Sequence, residues 1–329
     1  DLETLIRYLI NQGANVNARS YYVGSPLAAA ALGTKSSIVE MLLEKEVAVD
    51  SEDGLGRRPI HFAALHSIAN FQAIVKAKAD IEAKDKLSRS ALHWAAQAGH
   101  VEVIKHIIQL NPQIDIDQRD IDGWTPLCWA AKGGGGWLFG DKTNDPEDTV
   151  GAVRVLLEHH ADRSVRCPLA GKSWTLLEIA SYFGADHGVI HLLKNGLEEE
   201  DQPQSAEETL IPIEDGHTGL IRAAYSHGIW CDSCFLEVKG LLHKCKTCFS
   251  FDLCQKCYEH LDIVHQYKHD HEFEEKEPEY DTISDSNAAD EDEDEEEDAS
   301  EIWSTKLSSD SGEGSENLPE GSNGLSDED

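Results

Sequence analysis

Apolar residues in the first 200 positions recur with the spacing of amphipathic helices, and polar turns separate them at regular intervals. Stretches such as VEVIKHIIQL (101–110) and VRVLLEHH (153–160) place apolar side chains three and four positions apart, which is the spacing of one helix face. Polar turns such as KADIEAKDKLSR (78–89) lie between such stretches. The pattern predicts a mainly α-helical region of short helices joined by turns.

A short motif returns before each of these helical stretches. Its copies begin 33, 32, 35 and 50 positions apart, so the last interval holds about 17 extra residues beyond a unit of about 33. Self-similarity at this period is typical of solenoids, in which each repeat packs only on its neighbours. The copies are SPLAAAA (25–31), RPIHFAA (58–64), SALHWAA (90–96), TPLCWAA (125–131) and TLLEIAS (175–181).

These segments resemble the ankyrin repeat, whose TPLHxA signature has a physical basis. Thr or Ser caps the first helix, and Pro fits the first helical position because no intrahelical N–H is needed there. The paired alanines allow helices of neighbouring repeats to approach closely. Ala28, Cys128 and Glu178 depart from the signature, whereas His61 and His93 retain its His. We interpret these two histidines as structural hydrogen-bonding residues.

The resemblance implies an ankyrin-repeat solenoid over residues 1–197. LETLIRYLINQGANVNAR (2–19) has the pattern of the second helix and turn of a repeat, so we expect further repeats before it. Residues 133–149 form an insertion that begins with GGGG and is predicted to be a loop. This loop either contacts a partner or is passive. The acidic segment 198–226 is either a flexible linker or a partial repeat.

Six of the eight cysteines lie within 27 positions, in CDSCFLEVKGLLHKCKTCFSFDLCQKC (231–257). They form three CxxC pairs, and an HxH pair follows them. Two residues between thiols let both sulfurs bind one ion, and four sulfur or nitrogen ligands in a tetrahedron suit zinc. A disulfide framework requires an oxidising compartment, which the repeat array does not favour, and a redox pair would use a single CxxC. Eight ligands therefore predict two zinc ions.

Residues 227–275 resemble the ZZ-type zinc finger in CDSC, HKCKTC, FDLCQKCYEH and HDHEF. The resemblance implies two interleaved zinc sites. One would use Cys231, Cys234, Cys254 and Cys257, and the other would use Cys245, Cys248, His269 and His271. His265 is the alternative to His269, and we choose His269 because its HxH spacing and the following HEF match the family.

Several ZZ fingers bind the free N-terminus of a peptide through carboxylates. By resemblance, Asp232 and Asp252 would supply those carboxylates here, while Ser250 stands at a third pocket position and removes one of them. Two interpretations follow. Asp232 and Asp252 form a peptide site, or Asp252 only braces the zinc knuckle.

The charge of the chain is concentrated outside the predicted folded regions. The net charge is −34, and residues 276–329 account for −19 of it by count. This tail has few apolar residues and is predicted to be disordered. Such acidity repels nucleic acid and favours basic partners. No stretch has the roughly 18 apolar residues of a membrane helix.

Other motifs give no indication of catalysis. GKS (171–173) resembles a phosphate loop, but Arg166 stands where that motif requires Gly. We interpret Cys128 and Cys167 as buried or spare thiols with no adjacent partner. No nucleophile or paired-carboxylate arrangement indicates an enzyme.

We therefore predict a non-enzymatic, zinc-binding interaction adaptor that is monomeric and located in the cytoplasm and/or nucleus. Its array would bind a folded partner. Its finger, on a flexible linker, would bind a peptide N-terminus or a basic tail. The alternatives are a component of a ubiquitin ligase and a chromatin- or histone-binding protein.

Overall fold

The computed structural model describes residues 2–20, 23–33, 35–132, 146–197, 226–239, 241–248, 251–265 and 271–277. These residues belong to one compact unit that spans positions 1–280. The predictions made for the linker, the first part of the insertion, Ser250, His269 and the acidic tail fall outside the described residues.

Short helices arranged in pairs form the array, residues 2–197. The helices are α1 (Leu2–Asn11), α2 (Pro26–Gly33), α3 (Ser36–Leu43), α4 (Pro59–His66), α5 (Ile68–Lys76), α6 (Ala91–Gln97), α7 (Val101–Leu110), α8 (Pro126–Lys132), α9 (Pro146–Glu158), α10 (Leu176–Tyr182) and α11 (His187–Asn195). The first helices of the repeats, which are the even-numbered helices α2 to α10, stack on one another. The second helices, which are the odd-numbered helices α1 to α11, form a second layer. This two-layer stack confirms the predicted solenoid.

The signature residues tie each first helix to its surroundings. The Arg58 N–H donates to His61 Nδ1 at 2.9 Å, so His61 Nε2 carries the proton and donates to the Ala83 carbonyl at 3.0 Å. His61 thus joins its own helix start to the turn of the next repeat. Glu178 replaces this His in α10 and forms a reciprocal capping box, in which its carboxylate accepts from the Thr175 N–H at 2.6 Å.

The core follows from the small and apolar positions of the signature. The alanine pairs in α4, α6 and α8 are fully buried, and so are Trp94, Trp124 and Trp129. Helix α1 differs, because its apolar side chains Leu2, Leu5, Tyr8 and Leu9 are 45–59% exposed. No helix among the described residues is both long and apolar enough to span a membrane.

A β-hairpin not predicted from the sequence lies between α9 and α10. Strands β1 (Arg166–Leu169) and β2 (Lys172–Thr175) pair antiparallel around Ala170 and Gly171, both with positive φ. Two such residues are typical of a type I′ hairpin turn. The GKS triplet therefore lies in this hairpin, where no helix N-terminus follows the Gly to bind a phosphate. The predicted loop insertion also needs correction, because its end, 146–149, already belongs to α9.

The finger, residues 226–277, contains two small sheets and two helical turns. Strand β3 (Ser226–Trp230) pairs with β4 (Glu237–Lys239), and β5 (Leu242–Cys245) lies between β6 (Asp252–Cys254) and β7 (Phe273–Lys276). The helical turns are α12 (Gln255–Tyr258) and α13 (Leu261–Val264). The buried apolar side chains described here, apart from the cysteines, are Leu236, Val238, Leu242, Phe251, Leu253 and Val264.

Burial of His93 predicts a pH dependence of array stability. Desolvation lowers the pKa of His93 to about 4, while an unfolded chain protonates His near 6.5. The unfolded state therefore binds more protons between these values, so stability is complete above pH 6.5 and falls as the pH drops towards 4. The loss at pH 4 is about 3 kcal/mol.

Urea unfolding of wild type and His93→Gln at several pH values checks this prediction. Glutamine keeps a donor and an acceptor but does not titrate, so the wild type should lose more stability than the variant on acidification. Parallel pH profiles for the two proteins would contradict it.

Candidate metal centres

Four cysteine sulfurs converge where the first zinc site is predicted. Cys231 and Cys234 lie in the turn after β3, Cys254 ends β6, and Cys257 lies in α12. The four thiols are buried, and their sulfurs lie within 4.8 Å of one another. Cys234 Sγ and Cys254 Sγ are 3.9 Å apart. Zn–S bonds of about 2.3 Å in a tetrahedron place sulfurs about 3.8 Å apart, so the donor set fits zinc.

The second group combines two cysteines and two histidines. Cys245 ends β5, and Cys248, His265 and His271 complete the group. His271 Nδ1 lies 3.5 Å from Cys245 Sγ and 3.4 Å from Cys248 Sγ, and His265 Nε2 lies 3.3 Å from Cys248 Sγ. Zinc–nitrogen and zinc–sulfur bonds in a tetrahedron place those ligand atoms about 3.6 Å apart, so this set also fits zinc.

The second group includes His265, which the sequence offers as the alternative to His269. The described residues place His265 beside Cys248, whereas His269 lies outside them and stays a prediction. Helix α13 explains the position of His265. Val264, the last residue of the helix, is buried, and His265 follows it as the C-cap. The His265 ring then packs edge-on against Phe251 and Phe273, with centroids 4.9 and 5.4 Å apart. No local sequence signal favoured His265 over His269, because the four-residue helix before it is too short to be predicted from periodicity.

The two groups alternate along the chain, in the order that the resemblance implies. Pairing of β5 with β6 places Leu242 opposite Cys254 and Lys244 opposite Asp252. Cys254, at the end of β6, belongs to the four-cysteine group, and Cys245, at the end of β5, belongs to the group with two histidines. The sheet formed by β5, β6 and β7 therefore joins the two groups.

The predicted peptide-binding aspartates lie next to each other at the first group. The Asp252 N–H donates to Asp232 Oδ2 at 2.7 Å, and the Asp232 N–H donates to the Asp252 carbonyl at 2.9 Å. Asp252 is buried and Asp232 is half-buried. These two hydrogen bonds join the Asp232 turn to β6, and Asp232 is the more accessible of the two residues.

The finger packs directly on the array. Arg57 Nη1 donates to the Ser233 carbonyl at 3.3 Å, and Gln97 Nε2 donates to the Cys234 carbonyl at 2.6 Å. Phe235 lies between Phe62 and Trp94, with ring centroids 6.3 and 6.2 Å away. We call the surface formed by α4, α6, α8 and the turns before α4 and α8 the docking face. The knuckle inserts into this face, whereas the linker that was predicted to be flexible lies outside the described residues.

A buried lysine of the array faces the first group of thiols. Lys132 is buried at the end of α8, with Nζ 3.7 Å from Cys254 Sγ. Burial works against its charged form, but the neighbouring cysteines, Cys254 foremost, raise the pKa of Lys132 overall. Four thiolates around a divalent zinc leave a net charge of −2, so a nearby ammonium compensates the centre. Sequence reasoning missed this contact because the two residues are 122 positions apart.

Cys128 and Cys167 are buried, as predicted, but the expectation that they lack an adjacent partner is wrong. The Cys167 thiol donates to Cys128 Sγ at 2.8 Å between α8 and β1. The unpredicted hairpin causes the difference, because it returns Cys167 to the array core. The two metal-ligand groups found among the described residues contain neither thiol.

Comparison with known proteins supports the repeat assignment. A family model described as "Ankyrin repeats (3 copies)" matches residues 1–85 and 69–138. Ankyrin repeat domain-containing protein SAT10 of Stachybotrys chartarum is 28% identical over 221 residues, which is 65% of this chain and 10% of that protein. Inversin of Gallus gallus is 34% identical over 119 residues, covering 34% of this chain and 11% of inversin.

Alpha-latrotoxin-Lg1a of Latrodectus geometricus is 32% identical over 131 residues, covering 38% of this chain and 9% of the toxin. The chain spans about a tenth of the length of these curated relatives. The family-model match ends at residue 138, so the finger rests on its own residues and geometry. The stacked helices, the signature residues and these matches agree, and the chain therefore contains an array of ankyrin repeats.

Proposed function

We propose that the chain is a non-enzymatic protein-interaction adaptor whose array carries a ZZ-type finger with two zinc ions. The observation that carries this proposal is the pair of four-ligand groups that alternate along residues 231–271. Ankyrin repeats indicate protein–protein interaction. The ligand–ligand distances described in the two groups, 3.3–3.9 Å, support tetrahedral zinc in each. The resident ions would fold the finger and would have no catalytic role.

The finger is proposed to bind a peptide through Asp232, either at a free N-terminus or in a basic tail. An ammonium is best held by a carboxylate that is partly shielded from water yet accessible, and Asp232 meets this condition better than the buried Asp252. Asp252 would orient Asp232 through its N–H. A folded partner would bind array surface beyond the docking face. We propose that the adaptor acts as a monomer in the cytoplasm and/or nucleus.

Titration of the zinc-loaded full-length chain with short peptides tests the peptide site. Each peptide is used with a free and an acetylated N-terminus, and we expect acetylation to raise Kd at least tenfold. Asp232→Asn should produce a similar loss, while Asp262→Asn, an exposed position on α13, should not. Equal affinity for free and acetylated peptides would show that the finger does not read an N-terminal ammonium.

A further inference from the structure

Three successive repeats place an aspartate at the same position of the turn before the first helix. Asp53, Asp85 and Asp120 each use Oδ1 to accept two N–H groups of their own turn, at 2.8–3.0 Å. The second oxygen, Oδ2, is directed to a cation in every case. The source of that cation differs between the repeats.

In the first two turns, the cation is an arginine four positions after the aspartate. Each guanidinium also lies over an aromatic ring nine positions after the aspartate, at 5.1 Å for Phe62 and 4.2 Å for Trp94. The pairs are Asp53–Arg57, with Nε to Oδ2 at 2.7 Å, and Asp85–Arg89 at 2.8 Å. All four of these charged side chains are at most 2% exposed.

The third turn has no arginine of its own at this position, where Trp124 stands instead. Its cation is Lys256, which belongs to α12 of the finger. Lys256 Nζ lies 3.2 Å from Asp120 Oδ2 and also donates to the Asp122 carboxylate. The same ammonium lies 4.6 Å from the Trp124 ring centroid and 5.2 Å from that of Trp129. The finger therefore supplies the cation that the first two repeats carry in their own turns.

We propose that Asp120, Asp122, Trp124 and Trp129 form a binding site for a primary ammonium, the ammonium recess, whose resident ligand Lys256 holds the finger on the array. Two carboxylates and two indole faces surround a compact charge, which suits lysine better than the broader guanidinium. The Lys256 side chain is 5% exposed and that of Asp120 is 1% exposed, so water screens the pair weakly. Without Lys256, the buried Asp120 carboxylate would lose its described cation, which is unfavourable.

A second finger residue strengthens the contact at the edge of the recess. His260 Nε2 lies 2.5 Å from Asp122 Oδ1, one helical turn beyond Lys256. Lys256 and His260, four positions apart and on one side of the chain, thus contact the same Asp122 carboxylate. This inference goes beyond the adaptor proposal, since it assigns the ligand of the turn before α8 to the chain itself.

The test uses the full-length, zinc-loaded chain with a protease site placed in residues 198–225 and cut after purification. Kd between the two pieces is then measured by titrating a fluorescently labelled array piece. We expect Lys256→Met to raise Kd about 30-fold or more. The control Lys244→Met, on β5 and without a described contact to the array, should leave Kd within about threefold of wild type.

Native mass spectrometry of each variant separates this proposal from the adaptor proposal. Both variants should retain two zinc ions per chain, which shows that the finger is folded. An unchanged Kd for Lys256→Met with both ions present would overturn the recess proposal alone. A wild-type finger piece that does not associate with the array piece would also overturn it. A chain without zinc would instead contradict the adaptor proposal.

A double-mutant cycle with Asp122→Asn tests the direct contact. This change keeps the side-chain shape and removes one carboxylate charge, so we expect it to weaken wild-type docking about tenfold. In the Lys256→Met background it should have a smaller effect, because its main partner is already gone. Equal losses in the two backgrounds would show that Asp122 does not act through Lys256 and would reject the recess.

Discussion

Zinc removal by a strong chelator is expected to unfold residues 226–277 while the array stays folded. Structural zinc contributes on the order of 10–16 kcal/mol to small domains, whereas a segment of this size buries too little apolar surface to fold alone. The buried apolar residues of the array extend without interruption from α2 to α11, in a core that the buried side chains of the finger join at the docking face. Loss of the ions should therefore unfold the finger, whereas the array should remain folded.

Thiol alkylation followed by mass spectrometry shows which of the two parts unfolds. The chain has eight cysteines, and six belong to the two metal-ligand groups. After chelation we expect six alkyl groups per chain, because Cys128 and Cys167 are fully buried in the array. Before chelation, labelling should be slow at all eight. Rapid labelling of six cysteines in the untreated protein would mean that no metal protects them.

Asp85→Ala is expected to reduce the free energy of unfolding of the array by about 3–5 kcal/mol. The Asp85 carboxylate accepts from the N–H groups of Leu87 and Arg89, and Oδ2 accepts from Arg89 Nε at 2.8 Å and Trp94 Nε1 at 3.3 Å. Its removal leaves the buried Arg89 charge without this partner and frees turn amides. Breaking one side of a buried pair is far more costly than losing an exposed pair.

Asp80→Ala provides the matched control within the same repeat. Asp80 also accepts a turn amide, from Glu82 at 3.0 Å, and pairs with Arg58 at 3.4 Å, but its side chain is 54% exposed. Exposed pairs contribute about 0–1 kcal/mol. Urea unfolding should therefore show a small change for Asp80→Ala and a large one for Asp85→Ala. Similar losses for both would contradict the importance of burial.

The array could be predicted largely from local sequence because its determinants lie close together along the chain. A helix face, a capping residue and a turn each involve residues within about four positions of one another. The 33-residue period then predicts that the resulting helix pairs stack. Glu178 shows this well, since its departure from the signature still makes a capping box with Thr175. The hairpin at 166–175 was missed because its short strands lack a clear apolar alternation.

Docking of the finger could not be predicted because its contacts join residues far apart in the chain. Arg57 and Ser233 are 176 positions apart, and Asp122 and Lys256 are 134 apart. One local signal existed, namely the replacement of the repeated arginine by Trp124 at the third turn. A missing cation beside a buried aspartate indicates that another element supplies one, but the sequence does not say which.

The metal-ligand groups were predictable in composition but less so in detail. CxxC spacing alone pairs Cys231 with Cys234, whereas the crossed partnership with Cys254 and Cys257 came from the family resemblance. Spacing also could not choose between His265 and His269. That choice depends on where α13 ends, and a four-residue helix is too short to be predicted from periodicity.

Native mass spectrometry of the full-length chain tests the central claim most directly. The account predicts two zinc ions per wild-type chain. It also predicts that Cys234→Ser weakens one site and Cys248→Ser weakens the other, so that each variant loses one ion first as chelator is added. A wild-type chain with no zinc or a single zinc, after purification in zinc-containing buffer, would contradict the two-site finger.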